Sequence, residues 1–181
     1  MMTTPLRPRT GLPAGYPFDY ERQAELPNGR RIYFRPVVPG DVTLLAEEVA
    51  AADVDTLYHR FFNPAIRLDS KRLRFLTEVD YRRRFALVGF VEGEPVAIAR
   101  FEPSGENLAE LAVVVKTGWR RLGIATMMLE ILELAAIERG VMGFEAVYLP
   151  SNHAVERVLA KRAFGKASVD SGVARVTKNL R

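Results

Sequence analysis

A strand, a short turn and a long apolar helix follow one another between residues 109 and 139, and this run limits the available folds more than any other stretch. Residues 109–115 (Ala-Glu-Leu-Ala-Val-Val-Val) suit a strand, and residues 122–139 are apolar nearly all round a helix, with only Thr126, Glu130 and Glu133 as a narrow polar stripe. A helix of that composition should be largely buried, so it needs a sheet to lie on. Gly140 suits its C-terminal cap. Strand and helix are joined through Arg120-Arg121-Leu122-Gly123-Ile124-Ala125-Thr126. The first amides of a helix have no partner within it and carry partial positive charge, so this junction is suited to seat a diphosphate. Gly123 and Ala125 keep side chains small where phosphate oxygens approach, and Arg120 or Arg121 adds positive charge.

The remaining pattern is that of an α+β domain. Residues 1–29 hold five prolines and three glycines, a composition that sustains neither helix nor central strand, and read as an extension draped over the domain, frayed in its first dozen residues. Residues 30–181 form the domain itself. Residues 30–35 alternate as a strand, and Asp41 can cap a helix carrying Val42, Leu45, Val49 and Ala52. Helices are expected over 55–62, ending before Asn63-Pro64, and over 69–78. Residues 85–91, 96–101 and 108–116 make an antiparallel meander, followed by the long helix, a strand at 144–149, a helix at 153–162 and a hairpin around Asp170-Ser171-Gly172. The sum is a mixed, mostly antiparallel central sheet flanked by helices.

Composition removes several function classes. The chain of 181 residues has no cysteine, which excludes disulfides, Cys-based zinc sites and a thiol nucleophile, and only His59 and His153 are left for a His-rich site, so no metal is expected. No apolar run approaches the roughly 18 residues of a membrane span, and residues 1–12 lack a secretory signal, so a cytoplasmic protein with no membrane partner is expected. The net charge of +4 suits a phosphate-rich cofactor as well as it suits nucleic acid. Short runs such as Lys71-Arg72-Leu73-Arg74 and Arg82-Arg83-Arg84 are usually solvated faces, which disfavours nucleic acid. Neither a Gly-x-x-x-x-Gly-Lys-Ser/Thr loop nor a Gly-x-Gly-x-x-Gly opening a parallel βαβ unit is present, against nucleotide hydrolysis and dinucleotide redox chemistry.

Residues 120–125 resemble the Gln/Arg-x-x-Gly-x-Gly/Ala signature of the GNAT (Gcn5-related N-acetyltransferase) superfamily, and residues 30–180 follow its order of elements. Arg35-Pro36 followed by Asp41, Tyr58-His59-Arg60-Phe61-Phe62, Leu76-Thr77-Glu78-Val79-Asp80-Tyr81 and Ala109-Glu110-Leu111-Ala112 are similar to the catalytic domain of bacterial Pat-type protein lysine acetyltransferases. The resemblance implies an enzyme that uses acetyl-CoA. Its pantetheine arm would pair with main-chain groups of Val113, Val114 and Val115, its pyrophosphate would lie on amides from Arg121 through Gly123, Ile124 and Ala125 to Thr126, and Asn152 would contact the arm. The acceptor implied is a protein lysine; a small amine is the alternative, and a non-catalytic acyl-CoA-binding module is a third reading. A homodimer is compatible with the sequence but not specified by it.

A lysine amine with a pKa of about 10.4 needs a base before it attacks a thioester at neutral pH. Glu110 is the candidate. It lies about five residues before the phosphate end of its strand, hence roughly 17 Å back, a separation compatible with an extended pantetheine. The resemblance implies a catalytic glutamate at the same position. A strand amide near Val113 suits the developing oxyanion. Many GNAT enzymes carry a tyrosine seven residues after the asparagine, where this chain has Leu159, and Tyr148 and Tyr58 remain as proton donors to the departing thiolate. His153 reads as a cap or surface residue and Trp119 as a packing anchor.

Overall fold

In the computed structural model, which describes residues 11–62 and 67–181, the strands form one eight-stranded sheet. The elements are β1 (Arg22–Glu25), β2 (Arg31–Pro36), α1 (Val42–Ala51), α2 (Val54–Phe61), α3 (Ser70–Thr77), β3 (Phe85–Val91), β4 (Glu94–Gly105), β5 (Leu108–Val115), α4 (Ile124–Glu138), β6 (Gly143–Tyr148), α5 (His153–Lys161), β7 (Ser168–Asp170) and β8 (Val173–Asn179). The order across the sheet is β1-β2-β3-β4-β5-β6-β8-β7. Every neighbouring pair is antiparallel except β5 and β6, which run parallel because α4 carries the chain back between them. The α+β architecture read from the sequence is the one found. None of the helices in the described residues is long and apolar enough to cross a membrane.

The sheet's alternation sorts its side chains onto two faces. Phe85, Leu87, Ala99, Phe101, Leu111 and Phe144 join Ile124, Met128, Leu129 and Leu132 of α4 in the main core. Ala86 and Val88, of opposite parity, join Val37 in a small separate cluster on the other face, against which Ile98 packs. Tyr16 and Tyr20, from the proline-rich segment, are buried in the main core, and β1 pairs as an edge strand, the position that tolerates such composition. The fraying expected over residues 1–12 falls, as far as residue 10, outside the described residues, as does the Asn63-Pro64 stop after α2.

One reading needs correction. Asp41 stands at the N-terminus of α1 but makes no side-chain cap. Its carboxylate instead takes a bidentate bond from Arg35 (Nη1 to Oδ2 2.8 Å, Nη2 to Oδ1 2.6 Å) and accepts from the Val38 amide at 2.8 Å. Both residues are buried, and a buried guanidinium attracts a carboxylate more strongly than does the open end of a helix. The narrow polar stripe expected on α4 is present and largely covered. Glu133 is buried and paired with Arg162 and with Lys178, while Leu134 and Ile137 are 55% and 51% exposed. Charges from α5 and β8 close over the glutamates, so the exposed stripe is rotated onto apolar positions.

Candidate active site

The parallel pairing of β5 with β6 is brief: it registers Leu108 with Gly143, Ala109 with Phe144 and Glu110 with Glu145, and then stops. Beyond Glu110 the two strands part. On its other side β5 stays paired with β4 as far as Val115, opposite Ala97. The Lys116 amide donates to Val96 O at 2.9 Å, which sets the alternation of that ladder. Main-chain groups of Glu110, Ala112 and Val114 bond β4, and those of Leu111, Val113 and Val115 face the opening. Side chains of Val113 and Val115 pack into the main core, so the valine run combines a packed face with a free edge. At the root of the opening, a Cβ on Gly143 would stand 3.0 Å from both Leu108 Cδ2 and Lys178 O, so only glycine lets β6 lie between β5 and β8 there.

The free edge leads to the mouth of α4. Arg121 and Gly123 have φ of +65° and +80°, and these left-handed residues swing the chain from the turn into the helix. No side chain caps α4, and the earliest amide bonded within it is that of Met127, to Gly123 O at 3.1 Å. The amides of Ile124, Ala125 and Thr126 therefore have no partner in the helix, while the Ile124 side chain is buried in the core and anchors the turn. A row of unpaired amides ending a free strand edge fits a diphosphate on an extended, amide-bearing arm. Arg121 is exposed beside it and makes no hydrogen bond or ion pair among the described residues. Arg120 is engaged elsewhere: its Nε donates to Val115 O at 3.2 Å and its Nη2 to Thr56 Oγ1 at 2.9 Å.

Glu110 is exposed at the fork and lies in a row with Glu102 on β4 and Glu145 on β6. The flanking carboxylates are neutralised, Glu102 by Arg100 at 2.9 Å and Glu145 by Arg175. Glu110 has no hydrogen bond or ion pair among the described residues, yet the fields of Arg60 and Arg175 reach it. Burial pulls the Arg60 guanidinium below its ordinary pKa, and Glu110 and Glu102 oppose that pull. Burial likewise lowers Arg100, against the support of Glu102.

Asn152 caps α5, its Oδ1 accepting from the Val155 amide at 3.2 Å, which leaves its side-chain amide hydrogens for other acceptors. His153 is exposed and contacts Glu156, and His59 pairs with Asp55 on α2. The Arg30 guanidinium lies 5.3 Å from the Trp119 ring, which packs against the main core. Leu159 is buried in that core, so it faces away from solvent chemistry. Tyr148, at the end of β6, is held above the ordinary tyrosine pKa by burial and then by Glu156, and so keeps its proton.

Sequence reasoning missed a latch between α2 and the turn after β5. Asp53 caps α2, accepting from the Thr56 amide at 2.7 Å, and also accepts from Thr117 Oγ1 at 3.0 Å. Asp53 three residues before Thr56 is a capping signal present in the sequence; the contact with Thr117, 64 residues away, has no local sign. Arg60 was also missed, because a single arginine in a helix carries no mark of the carboxylate it faces.

The model of the acetyltransferase (GNAT) family matches residues 51–165. Acetyltransferase Pat of Mycolicibacterium smegmatis is 32% identical over 151 residues, covering 80% of this chain and 44% of its own, so the chain spans less than half the length of that relative. Among solved structures, the GNAT domain of S. lividans PAT superposes with a TM-score of 0.84 at 28% identity, covering 91% of this chain and 99% of that one. The cAMP-binding acyltransferase from Mycobacterium smegmatis gives 0.62 at 27% identity, covering 89% and 47%. At 17% identity, yncA from Salmonella typhimurium, solved with its cofactor acetyl-CoA, shares the fold with a TM-score of 0.69, covering 83% and 94%. With the matched segment spanning more than half its length, this chain belongs to the acetyltransferase (GNAT) family, whose acetyl donor is acetyl-CoA.

Proposed function

We propose that the chain acetylates a primary amine, the side-chain amine of protein lysines, in a ternary complex with Glu110 as general base. The observation that carries this reading is the continuity of three features: an exposed carboxylate at the fork with no partner among the described residues, a strand edge beyond Glu110 that β6 does not pair and on which only Val115 O is taken, by Arg120, and unpaired amides at the mouth of α4. Acetyl-CoA, when bound, supplies the thioester carbonyl. Amides of Ile124, Ala125 and Thr126, with Arg121 beside them, hold the pyrophosphate, and the edges of Val113 and Val115 hold the pantetheine arm as an added strand would be held. Roughly 17 Å of strand separates Glu110 from the phosphate end, enough for that arm to reach.

The arriving lysine ammonium meets the row of Glu102, Glu110 and Glu145, in which Glu110 alone lacks a paired cation among the described residues. Glu110 takes the proton, the amine nitrogen bonds to the carbonyl carbon, and the C–S bond breaks. The Val113 amide, already facing the opening, donates to the carbonyl oxygen as it gains charge. Tyr148, protonated, or solvent returns a proton to the thiolate. A protein acceptor is favoured by the 32% identity to acetyltransferase Pat.

The test incubates the protein with labelled acetyl-CoA and a panel of proteins and small amines. Glu110→Gln should keep CoA affinity while turnover falls about 10²- to 10⁴-fold, the usual worth of a general base. An unchanged rate across the pH range where the amine titrates would remove Glu110 from the mechanism. Label on small amines alone would remove the protein acceptor. Calorimetry showing no association with CoA would overturn the whole reading.

A further inference from the structure

The sheet face opposite α4 holds a cavity that a two-carbon acetyl group does not need. It has a volume of about 370 Å³ and lies between α1, α2 and strands β3 to β5. That is within the range of small-ligand pockets, about 300–1,000 Å³. Leu45, Val49, Leu57, Val88, Ile98 and Val114 supply apolar walls. Most of its charged lining is already paired: Lys116 with Glu48 at 2.8 Å, Arg100 with Glu102 at 2.9 Å, and Asp53 with the first turn of α2.

Its position relative to β5 matters most. Val114 turns its side chain into the cavity, and the main chain of its neighbour Val113 faces the opening between β5 and β6. One residue therefore separates the proposed seat of the thioester carbonyl from the apolar chamber. Arg60 and Arg100 line the chamber and both are already held against the cost of burial, so an ammonium entering it would meet two guanidinium groups. An uncharged chain meets no such barrier.

Building on the proposed function, we infer that this cavity receives the acyl chain of thioesters longer than acetyl, with the carbonyl at Val113 and the chain passing Val114 beneath α1 and α2. The chain is a passenger in the transfer, and the bonds made and broken are those of acetyl transfer. Each added methylene buried there strengthens binding about fourfold until the cavity is full.

Calorimetry on the full chain with CoA, acetyl-CoA, butyryl-CoA, hexanoyl-CoA and free hexanoate tests this. Kd should fall about fourfold per methylene along the thioester series. Val49→Phe on α1 and Ile98→Phe on β4 should each erase that gain while leaving acetyl-CoA affinity unchanged; thermal unfolding checks that each is folded, and the two stand on separate elements in case one is not. If acetyl-CoA binds but the affinity is flat or falls with chain length, the inference fails and the proposed function stands. If no CoA species binds, both fail. Hexanoate binding as tightly as the thioester gain would assign the cavity to a free carboxylate and overturn the inference. So would a Val49→Phe variant whose KM for an amine acceptor rises while the chain-length series is unchanged, since the cavity would then be the acceptor channel.

Discussion

The two faces of the sheet are built on different physics. On the α4 side, Phe85, Phe101, Phe144, Met128, Leu129 and Leu132 are fully buried in one continuous core. On the α1–α3 side, the buried apolar cluster shrinks to Val37, Ala86 and Val88, and the rest is a cavity, ion pairs and buried arginines. Close packing stabilises one arrangement, whereas voids and paired charges leave room for ligands. The packed face holds the side chains of Val113 and Val115 and anchors the helix whose first amides are unpaired. The loose face presents Glu110 and whatever approaches it. The division of labour is that one face fixes geometry and the other admits substrate.

Five substitutions would break or sharpen that contrast. The largest effect is expected from Gly123→Val, at the hinge between the faces. A β-branched residue at φ +80° costs about 1–2 kcal/mol and displaces the first amides, and two lost bonds to phosphate at about 1.5–3 kcal/mol each weaken CoA binding more than about a hundredfold. Calorimetry reads the loss, and retained affinity would show that the cradle lies elsewhere. Next, Asp41→Ala strands Arg35 without its carboxylate on the loose face, at a cost of about 3–5 kcal/mol in denaturant unfolding. A cost below 1 kcal/mol would mean that packing, not this pair, holds α1.

Leu132→Ala on the packed face should cost about 2–5 kcal/mol. Val49→Ala, whose side chain already borders empty space, should cost less than about 1.5 kcal/mol. Equal costs would dissolve the distinction between the faces. The smallest effect concerns pH. Asp53 is held below the ordinary carboxylate value, first by the Thr56 amide and then by the Thr56 hydroxyl. Its latch therefore contributes fully above the unfolded-state value of about 3.9 and is lost as pH falls through the lower folded value. Asp53→Asn should lose a little stability at neutral pH and converge with the unaltered protein as pH falls through the carboxylate's titration; a difference that persists undiminished in acid would contradict the assignment.

Much of the site was legible because its signals are short-range. The hairpin centred near Glu106 pairs β4 with β5 in a register that places Glu102 opposite Glu110, and strand alternation sends Val113 and Val115 to one face and Glu110 and Val114 to the other. The long-range partners were not legible. Nothing near Asp41 marks Arg35 as its destination in preference to a helix end, and nothing in Arg120 marks Thr56. The narrow polar stripe of α4 was legible, but its partners were not, because the cations that cover Glu133 come from Arg162 and Lys178, 29 and 45 residues away.

By itself the sequence determined the order of strands and helices from β2 onward, the glycine-opened mouth of α4 and the placing of a carboxylate on the strand that leads to it. These follow from periodicity and local sterics, which act over a few residues. Only the tertiary structure decided where β5 and β6 part, which arginines face Glu110, and that a chamber remains under α1 and α2. Those depend on how distant segments meet, and the free energy of such meetings is set by the whole assembly of partners rather than by any one stretch of chain.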